Sequence, residues 1–448
     1  MQWNSLFSNK RLGANNEKET GHSLRNEYLR DYDRLIFSSP FRRLQNKTQV
    51  FPLPGHVFVH NRLTHSLEVA SVGRSLGQNV GEALIKKYPN ESEAFIEFYR
   101  NQLHTVISTA CLAHDIGNPP FGHSGEEAIR NYFENITGDI KTKFETELTN
   151  NQRFDFLKFE GNSNTFRLLT HETLGIHRIS YSTLASIVKY PSVSSAGFNK
   201  STGLIATKKA GFFDSDYPKY EQIANEFGMK AISQSEKIYP RHPFVFLVEA
   251  ADDICYRIID LEDAFRLEIL TQTDVFDLLL NVFDEVSLAK IKNSLAKQSH
   301  VNQQLSYLRA MVINQLVTQC TAVFMESENL LLEGKLNKSL IDILPEKQLK
   351  AIEEIDKISV EKIYNHKSVI EIELAGYNVI GGLLDEFMAA IVNIKSKKSE
   401  KLLALIPSQF DIKNTNFYDK TLAVVDFISS MTDLYAIDLF RKIKGISV

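Results

Sequence analysis

Cysteine is scarce in this chain: three residues, Cys111, Cys255 and Cys320, lie far apart with no C-x-x-C spacing. That pattern excludes a disulfide framework and a thiolate zinc site, and it fits a reducing, cytoplasmic setting. Proline and glycine are also sparse, at 12 and 21 of 448 residues, while hydrophobic residues make up 43 % and charged residues 24 %. A disordered or low-complexity chain is therefore not expected. No charge of one sign dominates. The net charge of -4 supplies no global basic field, so nonspecific binding to a nucleic-acid backbone is not predicted. No hydrophobic run approaches a membrane span, the first residues (MQWNSLFSNKRLG) lack a signal-peptide core, and no internal repeat is present. The length is enough to bury a large core.

What is present is helical periodicity. Residues 1–25 read as a polar, irregular segment, followed by EYLRDYDRLIFSSPFRRLQ, a helical stretch interrupted at Pro40. Apolar residues at 63, 67, 70, 76, 80 and 84 predict a core helix over 63–84, and a similar run predicts one over 101–114. Further helices are expected at 163–174, 180–189, 244–266, 272–296, 301–327, 376–394 and 420–442. The fold class is thus mainly α. One small β-hairpin is expected near the N-terminus, from TQVFPL and HVFVHN, with Pro52, Pro54 and Gly55 between them. Residues 191–241 read as a long, partly ordered excursion, and the basic run KSKKSEK at 395–401 as a solvated loop.

The chemistry concentrates in CLAHDIGNPPFGHSGE, Cys111 to Glu126. Its apolar helix should stop at Gly117, through a left-handed cap there and the two prolines that follow. His114 and Asp115 then sit at a helix end, where an imidazole and a carboxylate can reach one ion of the Mn, Fe, Zn or Mg kind. The pair alone does not specify a metal. His65 opens an otherwise apolar helix, in phase with Val69 and Val72. Asp252, in FLVEAADDICYRIID, is flanked by Val248, Cys255 and Ile259, where an unpaired carboxylate carries a severe desolvation cost that a cation relieves. Helical spacing aligns Asp252, Tyr256 and Asp260 at i, i+4 and i+8, a polar stripe that reads as a cavity lining.

His65, the His114-Asp115 doublet and Asp252 together resemble the H…HD…D signature of the HD-domain metal-dependent phosphohydrolases. More narrowly, RDYDRLIFSSPFRRLQNKTQVFPL, NRLTHSLEVA, CLAHDIGNPPFGHSGEEAI, FEGNSNTFRLL, LVEAADDICYRIIDLED and SSMTDLYAIDLFR resemble the deoxyguanosine triphosphate triphosphohydrolase family. These phrases run from about residue 25 to 442, and residues 270–360 bring no comparable match. The resemblance implies an HD-domain catalytic core over 26–270 and a helical C-terminal region over 271–448 that contributes to the nucleotide pocket and to oligomer contacts.

The resemblance also implies a reaction, in which a dNTP is cleaved to a deoxynucleoside and tripolyphosphate at one divalent metal held by His65, His114, Asp115 and Asp252. Mn or Mg is the expected ion, because the substrate is hard. Such a metal polarises the phosphoryl group and makes a bound water acidic near neutral pH. His123 and Glu126 match the family's catalytic pair, and an acid is needed there because the sugar 5′ oxygen must be protonated as it leaves. Glu127 reads instead as a helix N-terminal acid. For the substrate, Arg62 is expected to fork to phosphate, with Lys189 of the KYP segment and Lys208 as further cations. Tyr256 and Asp260 are expected to read the deoxyribose, and Gln49 and Val50 the sugar and nucleoside edge. The partners implied are a dNTP and further copies of the chain; single-stranded DNA, bound by some of the family, is not predicted. The alternatives are an HD phosphohydrolase for another nucleotide and a nonenzymatic nucleotide-sensing oligomer.

Overall fold

Three glycines one helical turn apart set the pairing of the two helices that carry the histidines. Gly73, Gly77 and Gly81 lie on the Arg62–Lys87 helix. A Cβ added to them would come within 2.4 Å of the Cys111 sulfur, 2.8 Å of the His104 Cα and 2.0 Å of the Tyr99 carbonyl oxygen. Only hydrogen fits there, so the Arg62–Lys87 and Leu103–Ala113 helices pack antiparallel at close range. His65, one turn into the first, thereby meets His114, at the C-terminal cap of the second. The Val245–Arg266 helix lies across both, with Ala251 against Gly73, and brings Asp252 to the same end.

The computed structural model describes residues 1–13, 26–52, 59–176, 178–197, 203–413 and 416–446. The architecture is mainly helical. Among the described residues there is no β-strand, so the expected hairpin is not supported. Its flanks are joined by a single antiparallel bridge, Thr48 to Asn61, and residues 53–58 lie outside the described residues.

Other expectations need adjustment for local reasons. Pro40 does not merely interrupt a helix; it opens a second one, Ser39–Arg43, capped by the Ser38 hydroxyl. The 272–296 prediction splits into Gln272–Leu280 and Glu285–Leu295, because Asp284 caps the second helix by accepting from the Ser287 N–H at 2.8 Å. The 420–442 prediction splits likewise into Phe417–Ser429 and Asp433–Lys444, with Thr432 as cap. The helix expected at 376–394 begins earlier and runs Lys367–Val392. The KSKKSEK run is not a loop. It forms most of the Lys397–Leu403 helix, and Lys398 pairs with Glu386 at 2.6 Å.

The Lys367–Val392 helix is apolar and long enough to cross a membrane by length and composition. Its buried face, however, packs on the His123–Glu134 and Phe417–Ser429 helices, which is what a core helix requires. Residues 270–360 dock onto the core through Arg257, which forks to Asp356 with bonds of 2.8 and 3.0 Å. That attachment carries Tyr364, at the end of a π-helical turn, to the mouth of the site.

Candidate active site

A cavity of about 570 Å³ opens where these helix ends converge. Every residue expected from the sequence lines it: Gln49, Val50, Arg62, His65, His114, Asp115 and His123, and on the other walls Glu126, Lys189, Lys208, Asp252, Tyr256 and Asp260.

At its floor, His65 Nε2 is 3.1 Å and His114 Nε2 3.4 Å from Asp252 Oδ1, and His114 Nε2 is 3.5 Å from Asp115 Oδ1. One ligand atom each from His65, His114 and Asp115 lies within 4.8 Å of the others. Two ligands of one first-row ion sit at most about 4.2 Å apart, so a shift of tenths of an ångström closes the set. The surrounding bonds suit a metal. His114 Nδ1 hydrogen-bonds the Cys111 carbonyl at 2.6 Å, which turns Nε2 to the cavity. Asp115 accepts from Arg62 Nη1 and Asn118 Nδ2, both at 2.6 Å. Charge balance is tight. Burial pushes Asp115 up, but the Arg62 guanidinium and His114 outweigh it and hold the carboxyl at about 2. Burial likewise opposes a charged His114, yet Asp115 and Asp252 raise it to about 9. Protons thus occupy the place that a cation would take.

Gly117 departs from expectation. The helix ends at Ala113 with His114 as its cap, and Gly117 is not left-handed. It is needed for space: a Cβ would lie 2.2 Å from the Thr165 nitrogen and 2.3 Å from the Gly161 carbonyl oxygen. The left-handed residues are Phe121, at φ 63°, and Gly122, at φ 59°. At Gly122 a Cβ would also strike the Arg62 guanidinium, 2.4 Å away. This turn launches the His123–Glu134 helix with His123 facing open cavity, its side chain 80 % exposed. His123 Nδ1 meets Glu126 Oε2 at 2.9 Å. Glu126 is buried, and its other oxygen accepts the Gly161 N–H at 2.6 Å. Burial raises Glu126, but His123, Lys209 and that N–H together hold it below its ordinary value. Glu127 is more than a helix-end acid, because it accepts the Tyr377 hydroxyl.

Cations and sugar-side groups stand around the rim. Arg62 spends one arm on Asp115, and its buried Nε has no hydrogen-bond partner among the described residues. Lys189 lies 3.3 Å from Glu249; burial would lower it, but Glu249 foremost raises it well above the ordinary lysine value. Lys208 is exposed, and its neighbour Lys209 pairs with Glu160 at 3.0 Å. Burial lifts Asp260 to about 7, against the hydrogen bond it accepts from the Tyr364 hydroxyl at 2.7 Å. The buried Oε1 of Gln49 has no hydrogen-bond partner among the described residues.

Three residues here escaped the sequence reading. Tyr364 lies in a stretch with neither periodicity nor resemblance. Lys47 is buried and donates to the carbonyls of Asn118 and Ser429, at 2.5 and 2.8 Å, tying the turn to the C-terminal helices. Asp433 accepts the N–H groups of Thr48 and Phe121, at 2.8 and 3.0 Å. Its local signs were a helix-start signature, Thr432 before Asp433, and its place inside the family-like phrase SSMTDLYAIDLFR, neither of which gave it a role.

Comparisons with known proteins show what the chain is similar to. The HD domain pattern matches residues 62–176, and a phosphohydrolase-associated domain matches residues 343–442. The chain is 37 % identical to a deoxyguanosinetriphosphate triphosphohydrolase-like protein of Synechocystis sp., with 100 % of each chain covered. It is 37 % identical to one of Pseudomonas aeruginosa, with 99 % of each covered. A deoxyguanosinetriphosphate triphosphohydrolase of Yersinia enterocolitica is 29 % identical over 96 % of each.

Proposed function

This chain belongs to the deoxyguanosinetriphosphate triphosphohydrolase family of HD-domain phosphohydrolases, and from that premise we infer that it hydrolyses dGTP, and other dNTPs, to deoxynucleoside and tripolyphosphate. The observation that carries this reading is the convergence of a His/Asp metal cradle and a His–Glu pair in one cavity. His65, His114, Asp115 and Asp252 hold the ion, Mn or Mg. When bound, it supplies Lewis acidity toward a phosphoryl oxygen and toward water.

The remaining work falls to side chains. Water attacks the α phosphorus and the bond from phosphorus to the 5′ oxygen breaks. His123 moves the proton at that oxygen through Nε2, since Nδ1 is engaged by Glu126. Glu126, anchored by the Gly161 N–H, fixes the orientation of the imidazole. Arg62 orients Asp115 and offers its remaining N–H groups to phosphate, with Lys189 and Lys208 on the polyphosphate. Tyr256 packs where a 2′-hydroxyl would lie, Asp260 accepts from the 3′-hydroxyl, and Gln49 with Val50 borders the sugar and base. The division into a core over 26–270 and a C-terminal region over 271–448 follows these roles: the first supplies the ligands, and the second closes the pocket with Tyr364. Assembly with copies of itself and an intracellular location complete the reading.

The test is product analysis after incubating the chain with each dNTP and with GTP, with Mn or Mg and with chelator. Metal-dependent deoxynucleoside plus tripolyphosphate is expected. Monophosphate plus pyrophosphate, or no turnover, would refute it.

A further inference from the structure

Tyr256 and Asp260, the two sugar-side residues, are both held by one stretch of chain, the Glu346–Ile358 helix and the π-helical turn Ser359–Tyr364 that continues it. Tyr364 holds Asp260 directly, through the hydroxyl bond described above. The hold on Tyr256 is indirect. Tyr256 lines the catalytic cavity, whereas Arg257, the next residue on the Val245–Arg266 helix, lies outside that lining. Neighbours on a helix point about 100° apart. The Arg257 side chain nevertheless turns back, and its guanidinium carbon stands over the Tyr256 ring, 4.6 Å from the ring centre. Its own bonds keep it there: Nε and Nη2 fork to Asp356 Oδ1 and Oδ2 at 2.8 and 3.0 Å, and Nη1 donates to the Asp253 carbonyl at 2.9 Å. Arg257 is buried, so water screens the contact between cation and ring little.

We propose that Arg257 and Asp356 are positioning residues for sugar selection, which fix the Tyr256 ring where a 2′-hydroxyl would lie and so exclude a ribonucleotide. The inference rests on the reading of Tyr256 as a sugar contact given above. An apolar wall rejects an added hydroxyl by only about a hundredfold. A ring free to turn about its two side-chain torsions gives up even that. The guanidinium, pinned by its fork, takes this freedom away. A lysine does not replace it, because an ammonium offers neither a flat face to stack on the ring nor a fork for the carboxylate. Asp356 lies 99 positions further along the chain, so sugar selection depends on residues 270–360 being docked.

Competition of GTP with dGTP turnover in the metal-loaded full chain tests the proposal, read as the ratio of the GTP inhibition constant to the dGTP KM. In Arg257→Lys that ratio is expected to fall about tenfold, the size of a desolvated cation–π contact, through tighter GTP binding with dGTP kcat and KM within about twofold of wild type. Asp356→Ala, at a side chain 40 % exposed, shifts the ratio severalfold in the same direction and serves if the arginine variant fails to fold. In a Tyr256→Ala background, which has already lost the ratio, Arg257→Lys changes it no further. A ratio unchanged in both variants, or a GTP constant and a dGTP KM that rise together, means that the fork only docks residues 270–360 and overturns the proposal. So does a further fall in the Tyr256→Ala background. If Tyr256→Ala itself keeps the wild-type ratio, the reading of Tyr256 as a sugar contact fails, and the proposal with it. If dGTP is not turned over at all, fluorine NMR of the chain labelled with fluorotyrosine decides. The Tyr256 line, identified by its loss in Tyr256→Phe, is expected to shift and broaden in Arg257→Lys and Asp356→Ala, and a line unmoved in both overturns the restraint.

Discussion

Asp433→Asn tests how the C-terminal region holds the turn that carries His123. The buried carboxylate accepts two backbone N–H groups, from Thr48 beside Gln49 and from Phe121 two residues before His123. A carboxamide keeps one acceptor oxygen and turns an NH₂ toward the second N–H. A hydrogen bond to a charged group is worth about 1.5–3 kcal/mol, and leaving a buried donor unpaired costs about 1–3 kcal/mol. Phe121 also sits at φ 63°, a backbone strain of roughly 1–2 kcal/mol for a residue with a side chain. With its tether weakened, the turn has every reason to relax. The expected loss of stability is about 2–4 kcal/mol in urea unfolding of the domain that contains the turn. His123 leaves its position, so kcat falls about tenfold or more. Metal content, measured by mass spectrometry after gel filtration, stays near wild type, because the bonds of Asp433 go to Thr48 and Phe121 and not to the four proposed ligands. A variant with wild-type stability and kcat would refute the reasoning. One that lost its metal would mean that the turn and the cradle are not separable.

Four further outcomes follow from the same geometry. His123→Ala should lower kcat by about 10²–10⁴-fold with metal stoichiometry intact, as steady-state kinetics and metal analysis will show. Asp252→Ala, which removes the carboxylate shared by both imidazoles, should abolish stoichiometric metal retention in equilibrium dialysis. Because the metal-free His114 stays protonated up to about pH 9, metal uptake at neutral pH must displace that proton. Affinity should then rise about tenfold per pH unit toward 9, with heat that depends on buffer ionisation in calorimetry. The sign for stability is opposite: the charged His114 stabilises the metal-free fold fully below its ordinary value of about 6.5, and that contribution is lost as pH rises through about 9. Gly81→Ala, which stabilises an ordinary exposed helix, should here lower the melting temperature, since the new Cβ meets the Tyr99 carbonyl oxygen at 2.0 Å.

The sequence by itself determined where helices lie and which residues meet at their ends. Apolar periodicity marks the Arg62–Lys87 and Val245–Arg266 helices because a buried face repeats with the helical turn. Most of the thirteen candidate residues were legible because the resemblance rests on short contiguous phrases, Lys208 being offered only as a cation of the excursion, and each lines one cavity. Other features depend on contacts between residues far apart in the chain. Asp433 reaches Phe121 across 312 positions, and Tyr364 reaches Asp260 across 104; no local pattern encodes either bond. The same holds for space. Gly117 reads as a helix stop in the sequence, yet only the folded chain shows that its missing Cβ makes room for Thr165 and Gly161. Among the described residues the expected hairpin finds no strand, and the expected lysine loop became a helix once Glu386 and the Ser396 cap were beside it. Periodicity reports which face a segment buries; what that face is buried against is settled only when distant segments meet.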